Sequence, residues 1–205
     1  MHSYFSSILN KSIETHFYCE IEMEGGNEVK WGGVFWEDDL KKLLRSYLVL
    51  FIPAGIIIAL DQWTKFLLRS NLAVGETWSP WPWLAPYARV VHWYNTGVAF
   101  GMFQDKSILF LILSLLVSLA IIIYFPRVPA SEWALRTALC MQLGGALGNA
   151  IDRIQFGHVI DFISVGNFPV FNVADSSITI GVFVLLLGIW LQERHTRQSE
   201  QEKIQ

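Results

Sequence analysis

The sequence predicts an all-α membrane protein with four transmembrane helices and, at most, short β structure in the loops outside the membrane. Three observations predict this class. The 205 residues are 53% hydrophobic and only 16% charged, whereas a typical soluble domain has about 25% charged residues. The mean hydropathy is positive. Apolar runs of nearly the length needed to cross a bilayer recur along the chain.

The four spans are predicted at about residues 46–68, 107–125, 133–152 and 170–191. The second is a run of 19 uncharged residues closed by Pro126, and the fourth carries one charge, Asp175, near its beginning. The first and third have uncharged runs of 15 residues next to Asp61 and Asp152. They reach the necessary ~20 residues only if their helices extend beyond those runs.

The distribution of Lys and Arg predicts that both termini face the cytoplasm. With that orientation ten basic residues lie inside and five outside, as the positive-inside rule requires. Residues 44–192 are then a multi-pass membrane domain, and residues 193–205 are a polar cytoplasmic tail. The net charge of −3 gives no indication of nucleic-acid binding.

Residues 1–43 are predicted to be a polar, acidic extension in the cytoplasm. Eight of the 18 acidic residues lie in the first 39 positions. The segment lacks the basic start and apolar stretch of a cleaved signal peptide. Two interpretations stay open for residues 33–45, namely an amphipathic helix at the membrane surface or a solvated tail.

The first outer loop, residues 69–106, is rich in aromatic residues interleaved with prolines. Its tryptophans and tyrosines are Trp78, Trp81, Trp83, Tyr87, Trp93 and Tyr94. Such side chains settle at the headgroup level of a membrane. They either anchor the loop there or border a site that receives a lipid-bearing substrate.

Four aspartates converge on the outer end of the predicted helices. Asp61 and Asp152 lie near the outer ends of spans one and three, Asp161 lies in the second outer loop, and Asp175 begins span four. Ionisable groups at membrane depth are energetically unfavourable and indicate a functional site by default.

Three of these acids also have a structural explanation. Asp61 and Lys65, at i and i+4, can form an ion pair on one helix face. Asp175 lies three residues after Asn172, the spacing of a capping box. Asp152 can pair with the adjacent Arg153 at a solvated edge. Asp161, in an apolar VIDFI string, has no comparable structural role.

The chemistry that suits these acids is hydrolysis of a peptide bond. The outer side has no Ser/His pair, HExxH motif, phosphate-binding glycine loop or cysteine nucleophile. Cys19 and Cys140 form no disulfide framework or zinc motif, so we expect no metal and no cofactor. Two carboxylates that share one proton can activate water while polarising a carbonyl.

Five segments make the chain resemble the bacterial lipoprotein signal peptidases (signal peptidase II) over residues 45–192. They are DQWTK (61–65), YNTGVAFGMF (94–103), GGALGNAIDRI (144–154), GHVIDFI (157–163) and FNVADSSI (171–178). Each string alone is weak, but their order and spacing together are specific. The extension, up to about residue 40, departs from the family pattern.

The resemblance implies a membrane aspartic endopeptidase of the bacterial cytoplasmic (inner) membrane, with its active site on the extracytoplasmic side. It implies Asp161 and Asp175 as the catalytic pair. The supporting or substrate-positioning residues it implies are Asp61, Asn95, Asn149, Asp152, Arg153 and Asn172. The implied substrates are diacylglyceryl-modified prolipoproteins, cut just before the lipidated lipobox cysteine.

We further expect contact with membrane lipids and a monomeric enzyme. Asp175, at a helix N-terminus, is expected to be the more readily ionised acid, so that Asp161 holds the shared proton. Two other functions stay open. One is a small transporter or proton relay, since intramembrane acids also form relays, and the other is a catalytically inactive relative.

Overall fold

The computed structural model describes residues 34–96 and 106–202. Three parts of the sequence interpretation therefore lie outside the described residues. They are the predicted extension as far as residue 33, residues 97–103 of the YNTGVAFGMF segment, and the last three residues of the tail.

The described chain is mostly helical and contains a small sheet between the helices. The elements in chain order are α1 (Val34–Asn71), β1 (Thr77–Trp78), β2 (Ala88–Asn95), α2 (Ser107–Tyr124), a 3-10 turn (Phe125–Arg127), α3 (Trp133–Phe156), β3 (Val159–Val165) and α4 (Val173–Glu202). The four predicted helical segments are thus present as helices, and β structure lies in the two loops where it was allowed.

Three helical segments are long and apolar enough to cross a membrane among the residues described. They are Asp39–Asn71, Ser107–Arg127 and Val173–Arg194. Helix α3, which corresponds to the predicted span at about residues 133–152, is not one of them. That span therefore stays a prediction at this point. Residues 34–45 are helical and continue without a break into the first span, and α4 begins at Val173 rather than at 170.

Large apolar side chains cover the outer surfaces of the three candidate spans. Ile52, Leu116 and Phe183 are each more than half exposed. A soluble protein rarely exposes a continuous apolar surface of this extent. Contact with lipid hydrocarbon removes the penalty, which explains why these helices need not be buried in protein.

Helix α3 packs closely against its neighbours because glycine and alanine lie along its length. The position of a Cβ atom on Gly144 would lie 2.8 Å from Cβ of Ile57, and one on Gly145 would lie 2.5 Å from the carbonyl oxygen of Ala174. Small residues let helix backbones approach at this separation. The glycines and alanines of residues 144–150 therefore lie where α3 approaches its neighbours most closely.

The sheet is antiparallel, in the order β1-β2-β3. A register shift falls between Val90 and Trp93 of β2, which pair with Ile163 and Asp161 of β3. The extra residue of this bulge interrupts the alternation of the strand, so Val91 and His92 are both buried although they are consecutive. Beyond the bulge, β2 runs alongside the part of β3 that contains Asp161.

Substituting Gly145 by alanine tests the close packing of α3. The added methyl group has no space beside Ala174, and we expect a loss of about 1–3 kcal/mol in the free energy of unfolding. Gly55→Ala in α1 is the matched control, because nothing lies within 4 Å of its Cβ position. Thermal unfolding of both variants in one detergent measures the difference. Equal melting temperatures for Gly145→Ala and wild type would contradict the packing.

Candidate functional site

Asp161 is buried in β3, with 1% of its surface exposed. The register of the sheet pairs Asn95 of β2 with Val159, two residues away from Asp161 on the same side of the strand. The Asn95 side chain donates a hydrogen bond from Nδ2 to Oδ2 of Asp161 at 2.9 Å. The bulge in β2 sets this register and so determines which residue meets the acid.

Asp175 lies in the first turn of α4 and takes part in a reciprocal cap with Asn172. The Asp175 backbone N–H donates to Oδ1 of Asn172 at 2.9 Å, and the Asn172 backbone N–H donates to Oδ2 of Asp175 at 3.3 Å. The predicted capping box is confirmed, with aspartate in the position usually held by glutamate. Oδ1 of Asp175 remains available to other partners.

Two asparagine side chains connect the acids to each other. Asn149 of α3 donates from Nδ2 to Oδ1 of Asp175 at 2.7 Å. Asn172 donates from Nδ2 to Oδ1 of Asp161 at 2.7 Å and to Oδ1 of Asn149 at 3.0 Å. Asp161 and Asp175 are therefore bridged by a continuous chain of two amides.

A buried ammonium group lies behind this bridge. Nζ of Lys65 is 2.8 Å from Oδ2 of Asp61 and 2.8 Å from Oδ2 of Asp152. It also donates to Oδ1 of Asn149 at 3.1 Å. The Lys65 side chain and the two carboxylate side chains are each at most 1% exposed. Buried charges are stable in proteins only when paired in this way.

The two carboxylates paired with Lys65 also accept backbone N–H groups. Oδ1 of Asp61 accepts the backbone N–H of Ala174 at 2.9 Å, which ties α1 to the start of α4. Oδ2 of Asp152 accepts the backbone N–H of Ile160 at 3.0 Å, which ties α3 to β3. These two bonds hold the elements that carry Asp175 and Asp161 against the helices.

The surroundings of Asp161 favour its protonated form. Burial, followed by the negative charge of Asp175, raises the pKa of Asp161 from 3.8 to about 7. Hydrogen bonds from Asn95 and Asn172 and the charge of Lys65 oppose this rise. The negative charge of one carboxyl group disfavours ionisation of the other. The pair can therefore hold one proton and one negative charge.

Comparison with known proteins places this chain in a family. The family model for signal peptidase (SPase) II matches residues 53–191. A lipoprotein signal peptidase of Halalkalibacterium halodurans is 37% identical over 157 residues, which are 75% of this chain and 99% of that protein. The chain belongs to the signal peptidase II family. It is therefore an enzyme of a peptidase family, as the five segments predicted.

Further relatives and a solved structure agree with the assignment to signal peptidase II. The lipoprotein signal peptidase of Shouchella clausii is 40% identical over 154 residues, 73% of this chain and 97% of that protein. A bacterial membrane enzyme solved by the in meso method at 2.3 Å resolution has a TM-score of 0.64 and 29% identity, and the match covers 73% of this chain and 89% of that one.

The structure brings most of the predicted site residues together. One hydrogen-bonded cluster contains Asp61, Asn95, Asn149, Asp152, Asp161, Asn172 and Asp175. Their individual roles stay predictions. The solvated pair of Asp152 with Arg153 is wrong, because Asp152 is buried and pairs with Lys65.

Arg153 lies at the edge of this cluster and contacts it less closely. Its Nη1 donates to the carbonyl oxygen of Asn149 at 3.5 Å, and its guanidinium lies 5.8 Å from the ring centre of Phe110. The buried Nε atom has no hydrogen-bond partner among the described residues. Arg153 thus keeps a donor that is not used by the fold.

Sequence reasoning missed two members of the cluster. Lys65 was interpreted only as a possible ion-pair partner of Asp61 on one helix face, a pair that the structure confirms, and Gln62 was not singled out. Nε2 of Gln62 donates to Oδ1 of Asp152 at 2.9 Å, to the carbonyl oxygen of Gly148 at 3.1 Å and to Oδ2 of Asp61 at 3.2 Å. Both residues lie in the DQWTK segment (61–65), so the family resemblance had already marked this part of the chain.

Removing Asp152 tests the energetic importance of the ion pair. Asp152→Ala leaves the ammonium of Lys65 with one carboxylate instead of two and frees the Ile160 N–H, so we expect a loss of about 3–5 kcal/mol in the free energy of unfolding. Asp39→Ala removes an exposed ion pair with Lys42 and should change it by less than about 0.5 kcal/mol. Similar melting temperatures for the two variants would refute this difference.

The raised pKa of Asp161 predicts how stability depends on pH. Between about pH 4 and pH 7 the folded protein keeps a proton on Asp161 that the unfolded chain releases, so stability falls as pH rises through this range. We expect a smaller drop in melting temperature between pH 5 and pH 8 for Asp161→Asn than for wild type. Asp39→Asn, the exposed control, should follow wild type. An unchanged slope in Asp161→Asn would contradict the pKa assignment.

Proposed function

We propose that this protein is a membrane aspartic endopeptidase that removes signal peptides from diacylglyceryl-modified prolipoproteins, cutting just before the lipidated cysteine. The observation that carries the proposal is the pair Asp161 and Asp175, joined through the amides of Asn149 and Asn172. Membership of the signal peptidase II family and the names of its relatives support the substrate class.

The reaction proposed for the pair is general acid–base hydrolysis. The ionised carboxylate takes a proton from water as the water oxygen attacks the scissile carbonyl carbon. The protonated carboxyl donates a hydrogen bond to the carbonyl oxygen, where negative charge develops. The carbon–nitrogen bond then breaks as a proton passes to the leaving nitrogen. The hydroxyl of the water ends on the new carboxyl group and its hydrogen on the new amine.

Asp161 is the member that holds the proton in this scheme. Burial and the charge of Asp175 raise the pKa of Asp161 to about 7. Asp175 lies in the first turn of α4, where the helix dipole stabilises negative charge. Because the two acids titrate as a pair, the proton belongs to both, with Asp161 as its preferred position.

Helix α3 is the remaining span of the membrane domain, the third along the chain, and brings the number of spans to four. Its 24 residues extend for ~36 Å, which is enough to cross the hydrocarbon core. Its polar residues Asn149 and Asp152 are buried, so α3 needs less apolar character than a helix that faces lipid. Four spans place both termini in the cytoplasm and the acids at the extracytoplasmic end.

The membrane brings the substrate to this site. A signal helix and a diacylglyceryl group both partition into the bilayer, and the apolar outer faces of α1, α2 and α4 lie in the same layer. The stacked rings of Trp81 and Trp83 are 6.0 Å apart and more than half exposed. They support a loop that rests at the headgroup level of the inner membrane beside the site.

Cleavage of a defined lipopeptide tests the proposal. Purified protein in detergent is given a diacylglyceryl-modified lipobox peptide in the presence of EDTA. We expect wild type and the exposed control Asp39→Asn to cut it, and Asp161→Asn and Asp175→Asn to lose at least about 10³-fold in rate. Activity is read as release of the signal fragment by mass spectrometry.

Three outcomes would contradict the proposal in different ways. Equal cleavage by all four proteins would remove the assignment of the acids. Loss of wild-type activity on chelation would point to a metal. A folded wild type that does not cut would favour an inactive relative or a transporter, which ion-flux measurements in vesicles then separate.

A further inference from the structure

Lys65 is saturated with acceptors although it touches neither proposed catalytic acid. An ammonium group has three N–H donors, and Lys65 has three acceptors, Asp61, Asp152 and Asn149. The first two form ion pairs. The third is a neutral amide, and that amide is the one that contacts Asp175.

The contact with Lys65 determines which way the Asn149 amide faces. Oδ1 of Asn149 accepts from Lys65 at 3.1 Å and from Nδ2 of Asn172 at 3.0 Å. Its Nδ2 is therefore turned toward Oδ1 of Asp175. The opposite orientation would place an NH₂ group against the ammonium and the Asn172 amide, and an oxygen against a carboxylate. An amide held by a charged donor is fixed more firmly than one held by neutral groups.

The same contact reaches the other acid through one more side chain. Asn172 donates simultaneously to Asn149, to Oδ1 of Asp161 and to the carbonyl oxygen of Ile160. Lys65 is thus one amide away from Asp175 and two amides away from Asp161. Its ammonium group is buried in the protein, with 1% of the side chain exposed.

Resting on the proposed function, we infer that Lys65 is a positioning residue of the Asp161–Asp175 pair. Its ammonium orients the Asn149 amide toward Asp175, and its charge stabilises the single negative charge that the pair carries.

The electrostatics of Asp161 agree with this assignment. Burial and the charge of Asp175 raise the pKa of Asp161, and the charge of Lys65 opposes the rise. The other charged groups that act on the pair come from two helices: Asp61 from α1 and Arg153 from α3. Asp152 of α3 and His158, before β3, interact with each other next to this cluster. Removing the Lys65 charge alone should raise the pKa of Asp161 further.

Lys65→Met is the decisive variant, because it keeps the apolar length of the side chain and removes both charge and donors. With the lipopeptide substrate we expect kcat to fall at least about tenfold while KM stays within about twofold of wild type. From the raised pKa of Asp161 we expect the alkaline limb of the kcat–pH profile near pH 7 in wild type, and in Lys65→Met it should move up by about 0.5–1 pH unit.

Gln62→Met is the matched control. Gln62 bonds the same two carboxylates as Lys65 but carries no charge, and its third acceptor is the carbonyl oxygen of Gly148 rather than the Asn149 amide. Its loss should lower the melting temperature without moving the alkaline limb. A folded Lys65→Met enzyme with the kcat and pH profile of wild type would overturn the inference, as would an equal shift in Gln62→Met.

A double variant keeps the test valid if Lys65→Met does not fold. Asp61→Asn/Lys65→Met removes one negative and one positive charge together, so the charge balance of the cluster is preserved. We expect its kcat to lie at least about tenfold below that of Asp61→Asn alone, because the Asn149 amide is no longer held. Equal rates in these two variants would overturn the inference.

These outcomes are separate from those of the proposed function. Failure of the proposed function appears as wild-type protein that does not cut the lipopeptide, or as full activity in Asp161→Asn. The Lys65 assignment is tested only once wild type has been shown to cut the lipopeptide and Asp161→Asn has been shown not to. It fails if Lys65→Met then behaves like wild type.

Discussion

The ammonium group of Lys65, shared between Asp61 and Asp152, is the interaction on which the arrangement of this protein depends. Its 2.8 Å contact with Asp152 joins α1 to α3, and its 2.8 Å contact with Asp61 lies within α1. The same two carboxylates also accept the backbone N–H groups of Ala174 and Ile160. One buried charge cluster therefore positions the start of α4 and the start of β3. The acids of the site come from those two elements.

The polar groups of the site are buried in apolar surroundings, and each of them therefore needs a partner. In a low-dielectric interior, an unpaired charge is strongly unfavourable and an unpaired amide is unfavourable too. The site meets this constraint with amides rather than with further charges, since Asn95, Asn149 and Asn172 supply the bonds to Asp161 and Asp175. Amide donors stabilise a carboxylate without forcing both acids to ionise, which leaves the pair able to share one proton.

The helices solve the opposite problem on their outer surfaces. Apolar side chains there are exposed on the protein surface, as is typical of helices that face lipid hydrocarbon. Burial inside the protein is extensive in α3, where eleven residues are buried and whose glycines permit close approach to the neighbouring helices. A helix covered by protein in this way needs a less continuous apolar surface than one that faces lipid.

Four helices, their approximate positions and the likeness to signal peptidase II could be predicted from the sequence, because hydropathy and short motifs are local properties. The capping of α4 by Asn172 and Asp175 was predicted for the same reason, since its spacing lies within one turn. The place of Asp152 was not, because only the fold brings Lys65 from 87 positions away to meet it. Gln62 was missed because its three partners lie on two helices. What tertiary structure decided is which polar groups pair in the interior, and that choice depends on distances between elements that no local pattern encodes.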